Sequence, residues 1–220
     1  MDKLSEYYKM LKLVQKKPYS YLRGLSLRYL RPFLLGYELS AWDNGIDCIK
    51  LPPEFDAFIR AKYGFETEIA PYLCIIEFNE ANDEVAFEKF FTFVDEFQKL
   101  KDNSVKDVLS KDLRLEHSKV NLIDRYDLQL RELIRNNPKL YLTSPSLKYL
   151  EVFLNGYYLC TSMHQIPFEP YKGFDEFVQE KYGVTVEKNI FKIIEFKIWY
   201  DEEKAFYKFF ELLDEFLGKP

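Results

Sequence analysis

The chain has 220 residues and a formal net charge of −5, with 47% hydrophobic, 30% charged and 18% aromatic residues. That mixture fits one large globular body or two of about 100 residues each, and excludes an extended disordered chain. The acidic balance argues against a nucleic-acid binder, which needs clustered Lys and Arg to replace phosphate counterions, and is compatible with a basic protein partner.

Read from the start, MDKLSEYYKMLKLVQKK holds no apolar signal core, and no run approaches the ~18–20 apolar residues of a membrane span. A cytosolic protein without membrane contact is expected. Residues 4–17 place Leu4, Tyr7, Tyr8, Leu11 and Val14 at helical spacing, which predicts an amphipathic helix stopped by Pro18. The stretch 18–39, PYSYLRGLSLRYLRPFLLGYEL, then recurs at 138–159 as PKLYLTSPSLKYLEVFLNGYYL, with twelve of twenty-two positions identical and no gap. Chance identity is far lower, so the chain reads as a tandem duplication, 1–100 and 121–220, joined by a polar linker at 101–120.

Within each repeat a short loop is expected to end at Ser26 or Ser146, whose hydroxyl suits a helix N-cap. The next helix carries Leu27, Leu30, Phe33, Leu34 and Tyr37 on one face, or Leu147, Leu150, Phe153, Leu154 and Tyr157. Pro32 predicts a kink or later start in the first of these. Gly36 and Gly156 sit inside the pattern at matching places, where Gly costs about 1 kcal/mol against Ala, so each marks close packing of another element. AWDNGIDCIKLPPEF and CTSMHQIPFEPYKGF then diverge and read as loops. The repeats rejoin at FDAFIRAKYG and FDEFVQEKYG, helices ending at Gly64 and Gly183. Residues 69–78 and 189–198 have strand-like composition and helix-compatible length; helix is expected, because no partner strand lies nearby. Each repeat closes on a helix with a stripe, Phe87, Phe90, Phe91, Val94 and Phe97, or Phe206, Phe209, Phe210, Leu213 and Phe216. The counterpart of the first helix, 122–136, carries Leu122, Tyr126, Leu130, Leu133 and Ile134. The expected fold is all-α, a pseudo-two-fold bundle of two units of about five helices each.

The sequence offers no catalytic set. It lacks phosphate-binding glycine motifs, GxSxG, HExxH and a calcium loop. Its two histidines, His117 and His164, fall in the linker and a divergent loop. Cys48, Cys74 and Cys160 have no metal-ligand spacing and read as buried free thiols. No metal, no cofactor and no enzymatic activity is therefore expected. Glu77 with Glu195, and the pairs Asp95-Glu96 and Asp214-Glu215, are the repeated carboxylates. Neighbours on a helix point about 100° apart, so each pair fits a solvated face better than one reacting atom.

The pattern P-x-x-Y-L-x-x-x-S-L-x-Y-L-x-x-F-L-x-G-Y, closed by D-E-x-x-A-F-x-x-F-F-x-x-x-D-E-F, resembles small bacterial proteins that read RPGMYLGSxSLxxLxxFLxGY and end in a DEExAxxxFFxLxDEF helix. They are similar to immunity proteins of bacterial polymorphic toxin systems. The resemblance covers most of each repeat, although Tyr19-Ser20 and Lys139-Leu140 replace the family's Gly-Met. It implies a non-catalytic protein that binds a toxin domain, here a basic one, and neutralises it by occlusion. The divergent loops supply the expected contact residues, Trp42, Asp43, Asn44 and Asp47 in the first repeat and Met163, His164 and Tyr171 in the second, because tight binding rests on aromatic anchors within a polar rim. A structural scaffold and an enzyme with a carboxylate site at Glu77 or Glu195 are the alternative readings.

Overall fold

The computed structural model of the chain describes residues 3–46, 51–65, 70–104, 126, 129–185 and 188–218. Among the described residues every regular element is helical, as the apolar periodicity predicts. The two ambiguous stretches are the helices Tyr72–Asn79 and Ile190–Lys197. The chain divides into two compact units, Met1–Arg31 with Asp47–Lys119, and Pro32–Ile46 with Val120–Pro220.

The first unit holds α1 (Lys3–Lys16), α2 (Pro18–Tyr21), the first turn of α3 (Leu27–Asp43), α4 (Pro53–Tyr63), α5 (Tyr72–Asn79) and α6 (Asp83–Ser104). The sequence suggested a loop after Pro18, but the structure has a helical turn there. Proline presets the first helical dihedral and its missing N–H would be unbonded at that position anyway. Ser26 accepts from the Arg28 N–H at 3.2 Å, the cap its hydroxyl predicts. α5 packs against α4 and α6. At the centre, Phe55 is fully buried and meets Tyr72, Phe90 and Phe97 edge-on at 5.2, 6.2 and 5.3 Å. Each such pair adds about 0.5–1.5 kcal/mol beyond its buried area. Asp95 and Glu96 diverge to different neighbours, Lys12 on α1 and Lys62 on α4.

The second unit holds the rest of α3, then α7 (Gln129–Ile134), wound as a π-helix, α8 (Pro138–Leu142), α9 (Leu147–Met163), α10 (Phe174–Lys181), α11 (Ile190–Lys197) and α12 (Glu202–Phe216). Pro32 lies inside α3 rather than delaying its start. The short α8 again begins on proline, so each half carries six helices among the described residues, where about five were expected. Leu133 is exposed, while Tyr126, Leu130 and Ile134 are buried. Leu122 and nearly all of the expected linker lie outside the described residues, although α6 runs on to Ser104.

α12 packs against α9, α10 and α11. Phe174 meets Phe209 and Phe216 at 5.6 and 5.5 Å, and Phe206 and Phe210 are fully buried. Leu35 and Leu39 of α3 pack on this same core. α3 and α9 touch backbone to backbone. A methyl group on Gly36 would lie 2.0 Å from the Phe153 carbonyl oxygen, and one on Gly156 would lie 2.0 Å from that of Phe33. Both glycines are there because no side chain fits. The second unit also repeats details of the first. Ser146 caps α9, and Asp214 and Glu215 diverge to Arg135 and Lys181.

Candidate functional site

The loop from α9 to α10 builds a concavity. α9 ends in a left-handed turn in which Gln165 has φ 54° and the Ile166 N–H donates to the Thr161 carbonyl at 2.9 Å. Pro167 and Pro170 stiffen the loop beyond it, Tyr171 sits at φ 58°, and Gly173 at φ 88° starts α10. The loop lays Phe168 edge-on against Tyr126 at 5.0 Å, beside Tyr157 at 5.1 Å and Tyr158 at 5.8 Å, with Tyr171 also 5.8 Å from Tyr126.

The result is a cleft of about 410 Å³. Tyr126, Tyr158, Phe168, Tyr171, Phe174, Phe191 and Phe209 give it seven aromatic rings, and Glu169, Asp175 and Glu176 give it three carboxylates against one lysine, Lys172. Lys172 is exposed and stands 3.6 Å from Glu169. On the wall, Tyr126 is buried and its hydroxyl is hydrogen-bonded with that of Tyr158. Burial, and then Tyr158, push its pKa well above the ordinary tyrosine value, so it stays neutral. Burial, and then the neighbouring charge of Glu176, raise the Asp175 carboxyl above its ordinary value. A cation entering the cleft would relieve that penalty, and ring faces attract cations by about 0.5–2 kcal/mol each.

Of the residues singled out from sequence, Tyr171 lines this cleft. The rest stand elsewhere. Trp42, 53% exposed, and Asp43 form the last turn of α3, and Met163 ends α9. The sequence had put all three in loops, but the helical pattern runs on through buried Ala41 and Cys160 until glycine or glutamine takes the left-handed turn. Asp43 is buried and accepts from the Tyr157 hydroxyl at 2.9 Å. At the matching place Met163 takes the Tyr37 hydroxyl at 3.9 Å. Asn44 donates its side-chain amide to the Ser40 carbonyl at 2.7 Å, and His164 caps α9. Asp47, with Cys48 and His117, lies outside the described residues.

The repeated carboxylates are engaged in the fold. Glu77 pairs with Arg28 and Glu195 is 3% exposed. Cys160 is buried, as expected, and Cys74 is only half-buried, where full burial was expected. Among the described residues no group of three His, Cys, Asp or Glu is placed to hold a metal ion, and no helix is long and apolar enough to cross a membrane. Sequence reasoning missed Tyr126, Phe168, Asp175 and Glu176. For the last three the available signal was the run PFEPYKGFDE, which packs aromatics and acids into ten residues.

No protein-family model, curated protein or solved structure matches this chain.

Proposed function

We propose that this is a non-catalytic binding protein that docks a basic protein partner through the aromatic and acidic cleft between the α9–α10 loop and α11. The observation that carries the reading is the cleft's composition, seven rings with three carboxylates and one lysine. That chemistry suits the ammonium or guanidinium group of a Lys or Arg side chain, with its methylene stem against the rings. The family pattern in both halves adds a role: the partner is a toxin domain, and covering its surface neutralises it, as an immunity protein does. The same reading takes the chain as a duplicated helical unit. Supporting that are the matched helix order, the ion pairs Lys62–Glu96 and Lys181–Glu215, and the ring pairs Phe55–Phe97 and Phe174–Phe216.

Affinity capture from the source cell tests it, with the full chain and a Tyr171→Ala, Asp175→Asn, Glu176→Gln variant as baits. A basic protein should be retained by the first and lost from the second, with affinity reduced at least about tenfold. Retention by both baits, or recovery of acidic proteins alone, overturns the reading.

A further inference from the structure

A second surface of the same unit has the opposite charge. α11 ends on the hydrogen bonds that close several helices of this chain: the Tyr200 N–H donates to the Glu195 carbonyl at 2.9 Å, and the Trp199 N–H to that of Phe196 at 3.2 Å. This closure needs a left-handed residue, a place usually taken by glycine. At the ends of α3, α4 and α10 that residue is Gly45, Gly64 or Gly183, and at α9 it is Gln165. At α11 it is Trp199, with φ 54°, followed by Tyr200 with φ 60°. Trp199 is 90% exposed and Tyr200 63%. The chain after α5 leaves the helix extended at Glu80 and takes no left-handed turn. After α11 the chain instead holds two aromatics in a costly conformation facing solvent. Strain retained without a packing return marks an interaction site.

Beside the turn lies a cleft of about 560 Å³. Its walls include Val184, Ile193, Phe196 and Tyr200, and Lys188, Lys192 and Lys197 line it. The one carboxylate in the lining, Glu195, is buried. The Lys197 ammonium stands 5.5 Å from the Tyr182 ring centre, which steadies it at the edge. In a chain of net charge −5 this is a locally basic rim around an apolar hollow. We propose that the cleft and the Trp199–Tyr200 turn together dock an acidic peptide segment of another protein. One apolar side chain of that segment enters the hollow, Trp199 covers it, and flanking carboxylates meet the three lysines. The concavity favours a peptide over a membrane surface, which would need the aromatics on a convex face. Val184 and Ile193 in the lining and the chain's net charge of −5 favour it over a nucleic-acid strand.

Selection of random peptides displayed on phage against the immobilised full-length protein tests this. The expected consensus is acidic around one large apolar residue. Binding of a selected peptide should fall at least about tenfold in Trp199→Gly and in the double variant K192E/K197E, and stay unchanged in Tyr171→Ala. Trp199→Gly should unfold no earlier than the parent chain, which separates lost contact from lost fold. Four results would overturn the proposal. They are no consensus or a basic one, indifference to both α11-turn variants, loss in Tyr171→Ala instead, and tighter binding to phosphatidylserine vesicles or oligothymidine than to any selected peptide.

Discussion

The backbone angles of single residues separate what the fold requires from what it tolerates. Trp199 occupies a left-handed position that costs an L-residue about 1 kcal/mol relative to glycine, and its side chain makes little contact to offset that. Trp199→Gly should therefore raise stability by about 1 kcal/mol in urea denaturation, and an unchanged or lower midpoint would refute the strain argument. A second residue-scale effect concerns pH. Burial alone would raise the Glu202 carboxyl, but hydrogen bonds from Lys148 and Ser146 outweigh it and hold the group below its ordinary value of 4.5. The Ser146 hydroxyl donates to it at 2.7 Å while the same oxygen caps α9. Because the folded value is depressed, the stabilisation is present above pH ~4.5 and is lost as pH falls through the folded value. Glu202→Gln should thus lose less stability than the parent between about pH 5 and 3, as read from thermal midpoints across that window.

At the scale of elements, the α3–α9 contact leaves no room for a side chain at Gly36 or Gly156. A methyl group at Gly36 or Gly156 would fall far inside contact distance of a backbone carbonyl oxygen, and backbone cannot swing aside as a flexible side chain can. Gly36→Ala and Gly156→Ala should each cost about 3 kcal/mol in chemical denaturation, the upper range of overpacking. Gly24→Ala serves as the control, since its added carbon would meet only the Tyr29 ring at an ordinary 3.5 Å, and it should change stability by less than about 1 kcal/mol. This seam was half legible in the sequence. A repeated glycine inside a helical stripe announced a close neighbour, yet nothing local identified that neighbour as the matching glycine helix. The aromatic stripes of α6 and α12 were fully legible, since 3.6-residue periodicity is a property of consecutive residues.

At the scale of the whole molecule, the compact units do not follow the boundaries at 100 and 121 that the sequence suggests. Residues Pro32–Ile46 belong with Val120–Pro220, and Leu35 and Leu39 pack on that unit's core. A fragment of residues 120–220 should therefore lack a cooperative thermal transition, because α9 loses the helix seated against Gly156. Extending the chain to begin at residue 32 should restore the transition, followed by near-ultraviolet circular dichroism. A fragment 120–220 that melts cooperatively would show that α3 is dispensable to that unit.

The order of residues along the chain was enough to read the helical class, the stripes that fill both cores, the serine caps and the glycine stops at Gly64 and Gly183. Each of these depends on residues within a few positions of one another, so local hydrogen bonding and burial periodicity suffice. It took the folded chain to make Asp43 a buried acceptor for Tyr157 rather than a surface contact. Folding also brought Tyr126 and Phe209 into one cleft with Tyr171, set Tyr200 in one cleft with three lysines, and left Trp199 in solvent. A concavity forms where helices from distant parts of the chain fail to fill space together, and no stretch of sequence records that gap.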